Sequence, residues 1–212
     1  MTIPFIDKIL SDRVGRPSIN SSHWKDSSTI VVDRNDGTQF TTSFIRKAFV
    51  AVEDVLACMP SSPDLISSVP KDAVWDGAAI SYCEEAGVGW GSIGSFLDVC
   101  HGQDARTKSD KYTFFARRLM RQIRTVRSVS YVNSLLFQVS LHSGASLRVA
   151  VINSYDLSSD DVRTAWDMHG SFDAAYKNNP NGSITSDAHD AARDLGVIIL
   201  DKSTVTDFLR AR

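Results

Sequence analysis

Cysteine is scarce in this chain: only Cys58, Cys83 and Cys100 occur in 212 residues. They are odd in number, widely spaced and form no C-x-x-C pair, which argues against a disulfide framework or a zinc site. A reducing compartment, the cytoplasm, is therefore expected. No stretch approaches the roughly 18 consecutive apolar residues of a membrane-spanning helix, so no membrane partner is expected. The opening residues, MTIPFIDKILSDR, lack the basic start, apolar core and small-residue cleavage site of a secretory signal. The G-x-S-x-G elbow of serine hydrolases is missing too. Gly87–Gly94 is glycine-rich, but a helical pattern precedes it and no Lys-Ser/Thr follows, so it reads as a flexible turn and not as a phosphate loop. The acid–histidine neighbours Asp167/His169 and Asp187/His189 stand two apart on helical stretches and face different ways, so neither makes a metal pair. No catalytic residue, metal or cofactor is assigned.

Charge is plentiful but unevenly placed. The net charge is −2. From Arg106 to Arg127, however, eight basic residues face one acid, Asp110, so the other 190 residues carry −9. Such asymmetry points to a polyanionic partner more than the total does.

Along the chain, Pro17–Ser28 is rich in Ser and Asn and reads as loop. Thr29–Asp33 and Thr38–Thr42 flank Asn35-Asp36-Gly37, a hairpin signal. Apolar residues from Ile45 to Leu56 recur at helical spacing behind Ser43, a fair N-cap. Met59–Pro70, with three prolines, cannot continue a helix and is the expected boundary. The expected division is thus 1–70, a hairpin and a helix, and 71–212, with a helical part over 73–127 and a sheet part over 128–212.

Within 73–127, the pattern predicts a basic amphipathic helix over Asp110–Val126. Its apolar stripe is Phe115, Leu119, Ile123 and Val126, with Arg117, Arg121 and Arg124 opposite. Most charged faces are simply solvated, and arginines also pair with acids from elsewhere. Against that, no acid lies between Tyr112 and Arg127 to mix the signs. Lys108, Lys111, Arg117, Arg118, Arg121, Arg124 and Arg127 are accordingly the candidate nucleic-acid-binding residues.

Beyond the helix, Val129–Leu141 alternates with period two, a half-buried strand, and Leu147–Asn153 is nearly all apolar. A turn at His142–Ser146 makes these a hairpin. Ser158–Asp161 caps a helix ending at Gly170. Phe172–Lys177 is a strand, Asn178–Gly182 a loop, Ser186 caps a helix stopped by Gly196, Val197–Leu200 is a strand, and Ser203–Leu209 a closing helix. Alternating strands and helices predict an α/β fold: a mixed sheet with an antiparallel hairpin and parallel β-α-β units, preceded by a mainly helical N-terminal region.

That order, and above all ITSDAHDAARDLGVIILDKSTVTDFL (Ile184–Leu209), resembles the PD-(D/E)-x-K restriction-endonuclease family, closest to Mrr-like type IV restriction enzymes. The resemblance covers about 73–212 and is best over 147–209. It implies a restriction-endonuclease-like fold, a nucleic-acid partner, DNA before RNA, and a prokaryotic or phage restriction or antiviral defence setting. It leaves room for a homodimer or a protein partner. In the family, carboxylates hold Mg²⁺ and a lysine serves the attacking water. Here Ser128–Tyr155 contains no Asp, Glu or Lys, and the motif strand reads Val149-Ala150-Val151-Ile152-Asn153-Ser154. The expectation is a catalytically silent nuclease fold that binds nucleic acid through its basic helix. One alternative is a metal-dependent nuclease with relocated carboxylates (Glu84, Glu85 or Asp98 with Asp156). Another is a protein–protein scaffold using the acidic remainder of the surface.

Overall fold

Buried runs in two strands and a tight Asn-Asp-Gly turn between them organise the first sheet. The computed structural model describes residues 3–15 and 18–212, and the chain divides into two units, Met1–Asp110 and Lys111–Arg212. In the first, helix α1 (Pro4–Ser11) precedes strands β1 (Ile19–Trp24), β2 (Thr29–Arg34) and β3 (Gln39–Ile45). Gly37, at φ 83°, closes the β2–β3 turn and donates to the Arg34 carbonyl. Then come β4 (Phe49–Val50), α2 (Val52–Cys58), a 3-10 turn (Met59–Ser61), β5 (Leu65–Ser68), β6 (Val74–Trp75), α3 (Gly77–Ala86), β7 (Gly89–Ser92) and α4 (Ile93–Cys100). The main sheet runs β1-β2-β3-β5-β7, antiparallel up to β3 and parallel from β3 on. Ile6 and Leu10 of α1 and Phe96 and Val99 of α4 join Ile30, Val32, Phe44 and Leu65 in one core.

The second unit contains α5 (Lys111–Arg121), β8 (Val126–Asn133), β9 (Leu136–Leu141), β10 (Ser146–Ile152), α6 (Ser159–His169), β11 (Ala174–Lys177), α7 (Ser186–Leu195), β12 (Ile198–Leu200) and α8 (Val205–Arg210). Its sheet order is β12-β11-β10-β9-β8, with β8–β10 antiparallel and β10–β12 parallel. Side chains alternate between two cores. Phe137, Val149, Val151 and Tyr176 pack with Ala116 and Met120 of α5 and Val205 and Leu209 of α8. Leu136, Ala150 and Ala175 pack with Val162 of α6 and Ala188 and Ala192 of α7. Covering both faces is what parallel strands require, and each buried Val or Leu stabilises by about 1.5–3 kcal/mol.

Apart from the short parallel pair β4–β6 of the first unit, the two units have one topology, helix, three antiparallel strands, helix, parallel strand, helix, parallel strand, helix, and they share its register. Ile19, Thr29, Gln39 and Ile45 correspond at constant spacing to Val126, Leu136, Ser146 and Ile152. Both first strands carry their bulge just after the first pair, between Ile19 and Ser21 and between Val126 and Ser128. Gly37 and Gly144 close equivalent turns. After the longer α6, a second constant spacing relates Leu65, Gly77, Gly87 and Gly89 to Ala174, Ser186, Gly196 and Ile198. Gly87 and Gly196 both cap their helices in the left-handed region, at φ 64° and 69°.

The structure corrects several expectations. Residues 1–70 are not a separate, mainly helical region: β5 pairs with β3 on one side and β7 on the other, so the boundary falls after Asp110. The Ser/Asn-rich stretch holds β1, an edge strand whose outward positions tolerate polar residues; Pro17, its first residue, lies outside the described residues. The helix expected from Ile45 starts at Val52, since Ser43 and Ile45 lie in β3. Gly89 and Gly91 belong to β7, where a side chain at Gly89 would run into the Ala105 carbonyl, and Gly94 lies in α4. Val129–Leu141 is two strands folded at Ser134-Leu135.

Candidate nucleic-acid interface

Helix α5 is shorter than its charge pattern and turned differently. It ends at Arg121, because Ile123 and Val126 close turns onto Met120 and Ile123 and Val126 then pairs with Leu141. Thr113, Ala116 and Met120 face the sheet. The expected apolar stripe is therefore wrong in part: Phe115 is 60% exposed. Thr113, whose hydroxyl donates to the Ser134 carbonyl, lies on the inner side with Ala116 and Met120, and the Phe115 ring is left outside.

The seven candidate cations separate accordingly. Lys108 is not on the helix. It lies in the first unit, where its ammonium, on a side chain 9% exposed, meets Asp98 at 2.7 Å and the Gln103 side chain at 2.7 Å. Arg117 lies over the Tyr131 ring at 4.4 Å and donates to the Val129 carbonyl and the Tyr131 hydroxyl. Its place is against β8, not opposite the core. Arg124 sits in the turn after the helix and Arg127 in β8, both exposed. Lys111, Arg118 and Arg121 remain together on the outer side of α5 with Tyr112, Phe114 and Phe115, all exposed. Phe114 and Phe115 meet edge to face at 5.8 Å.

Beside this face is a cleft of about 610 Å³ at the C-terminal ends of β11 and β12. One wall is α5, through Lys111, Tyr112, Phe115, Arg118 and Leu119, with Gln122 just beyond its end. Tyr176, the Asn178–Asn181 loop and Lys202 complete it. The loop is held by Lys177, a side chain 4% exposed at the end of β11, whose ammonium donates to the carbonyls of Asn179 (2.6 Å) and Asn181 (2.5 Å). The Asn178 amide donates to the Tyr112 carbonyl at 3.0 Å and so ties the loop to the helix. No carboxylate lines the cleft, and none among the described residues pairs with Lys111, Arg118, Arg121 or Lys202. Burial, and then nearby Asp201, push the Tyr176 phenol up. Asp201 itself is held down at about 2, first by the Ser203 hydroxyl and then by Thr204.

The first unit supplies an internal comparison. Positions equivalent to Lys111, Phe115, Arg118, Tyr176 and Lys202 carry Pro4, Lys8, Ser11, Ser67 and Ile93. Carboxylates that serve the backbone recur instead. Asp64 and Asp173 accept from the Thr41 and Arg148 amides, and Asp54 and Asp161 from the Ala51 and Ser158 amides at the helix starts. The cysteines do not recur: Cys58, Cys83 and Cys100 stand where the second unit has Ala165, Ala192 and Leu209. Cys83 and Cys100 fill core positions and Cys58 is partly buried, and burial pushes their thiols up to about 12, 12 and 11.

At the hairpin, Val149, Ala150 and Val151 of β10 are buried. Asp156 receives the Ser183 amide and hydroxyl, which lower its pKa and make it a loop tie. Asp98, another of the relocated candidates, is engaged by Lys108. Among the described residues no three His, Cys, Asp or Glu side chains gather as a metal-binding group, and no helix is long and apolar enough to cross a membrane. Sequence reasoning missed Phe115 as a surface residue and did not assign Lys177, Lys202 or the asparagine loop, which it read only as a loop, to a site. The one available signal was a polar, carboxylate-free loop directly after a parallel strand, where open α/β sheets bind ligands. Compared with protein-family models, with curated proteins and with solved structures, the chain matches none.

Proposed function

We propose that this protein binds nucleic acid through its second unit, along the outer side of α5 and the cleft beside it, and does not cut it. The observation that carries this reading is the group of cations Lys111, Arg118, Arg121 and Lys202. They have no acidic partner among the described residues, stand next to exposed rings, and are missing at the equivalent positions of the first unit. Such cations dock phosphates. The second unit's order of helix, antiparallel strands and parallel β-α-β units supports reading it as restriction-endonuclease-like, in a prokaryotic or phage restriction or defence setting, with DNA preferred to RNA. Hydrophobic residues on β10, where an acid and a lysine would be needed, support binding without cleavage.

Fluorescence anisotropy with labelled duplex, single-stranded DNA and RNA at graded salt tests this. Binding should weaken with salt, and Arg118→Ala and Arg121→Ala should each reduce the log–log slope by about 0.7–0.9. No binding to any of the three at low salt overturns the proposal. With Mg²⁺ or Mn²⁺ the substrates should stay intact; cleavage lost on Asp156→Ala would favour a nuclease with relocated carboxylates.

A further inference from the structure

The cleft has features that a phosphate-docking surface does not need. We propose that it holds one unstacked nucleotide of a single-stranded segment, with Phe115 as the stacking surface for its base and Lys111, Arg118 and Lys202 around its phosphates. This rests on the nucleic-acid reading above and names the form of nucleic acid that the site takes. Phosphate contacts alone call for cations on an accessible face, which Arg118 and Arg121 already provide. A concave, partly apolar space of about 610 Å³ lies in the range of sites that enclose a small molecule, roughly 300–1,000 Å³. Phe115 forms part of its wall while remaining 60% exposed. In a duplex the base faces are covered by their neighbours, so a ring in a cleft can reach a base only where the strand is unpaired.

The cleft is also shaped in advance. Lys177 and Asn178 pin the loop from two sides, so little ordering remains when a ligand enters. With three cations and no carboxylate in the lining, an anionic occupant is favoured over an acid-rejecting or purely apolar one. The equivalent positions of the first unit show that the fold itself requires neither the ring nor these charges.

The test uses the full chain with a short labelled oligothymidylate and a blunt duplex of equal length. Phe115→Ala should weaken the single strand by about fivefold or more, as expected for losing one stacked base. It should leave the duplex within about twofold and the melting temperature unchanged, since the ring is exposed. Phe115→Trp should restore single-strand binding. Equal losses on both ligands, or no loss on either, overturn the cleft assignment. Displacement of the oligonucleotide by thymidine monophosphate at comparable concentration overturns it as well, in favour of a free nucleotide. If Arg118→Ala weakens binding and Phe115→Ala does not, the nucleic-acid reading stands and this inference falls; if nothing binds, both fall.

Discussion

Single residues show how little of the second unit's end is left to chance. Lys177 is buried, yet among the described residues its ammonium meets two backbone carbonyls and no carboxylate. Lys177→Met keeps the aliphatic stem but abandons both carbonyls, which should cost about 1–3 kcal/mol in chemical denaturation. An unchanged midpoint would show that the loop does not depend on it. Acid carboxyls give a second test. Asp201 is lowered from 3.8 to about 2, first by the Ser203 hydroxyl. Asp26 also falls to about 2: burial opposes this, but hydrogen bonds from Ser28, Ser61 and Thr29 outweigh it. A depressed folded pKa means stability that is complete above the ordinary value and lost as pH falls through the folded one. Stability should therefore be flat near neutrality and decline from about pH 4 towards pH 2. Asp201→Asn should shallow that decline, and an unaltered acid limb in the variant would contradict the assignment.

At the scale of elements, α5 decides between two readings of one amphipathic sequence. Met120 is wholly buried against the sheet, and Phe115 is not. Met120→Ala should cost about 2–5 kcal/mol, whereas Phe115→Ala should stay within about 0.5 kcal/mol. Thermal melts of the two variants would separate these outcomes, and the reverse order would restore the stripe expected from the sequence. Helices α2 and α6 begin alike, with Asp54 and Asp161 accepting the amides of Ala51 and Ser158. Removing either carboxylate by substitution with alanine should cost about 0.5–2 kcal/mol. A neutral result at both would mean that water replaces the cap.

At the scale of the molecule, one topology occurs twice with one register. Its second occurrence has its own cores on both faces of its sheet, and about 100 residues is an ordinary domain size. The fragment 111–212 should therefore unfold cooperatively when expressed alone, with mixed α/β circular dichroism. A fragment without a cooperative transition would show that the second unit cannot stand by itself.

Sequence alone determined the β-α-β succession of the second unit, because apolar runs such as Val149–Ile152 and Val197–Leu200 alternate with helical patterns, and a central parallel strand covered on both faces, as β10 is, must be apolar throughout. It determined the helix stops at Gly170 and Gly196 and the cap at Ser158, since these depend on local backbone chemistry. It also located the charge, for a run of cations without acids needs no folding to be seen. The first unit's sheet was hidden: β1 is a polar edge strand, β7 is Gly-Trp-Gly-Ser, and both draw their strand character from neighbours distant in sequence. The duplication escaped notice because what recurs is hydrogen-bond register and only scattered side chains. Which side of α5 faces inward was likewise a tertiary decision. Phe115 and Met120 are both apolar, and only the packing of α5 with Thr113 and Ala116 inward set one inside and the other in the cleft.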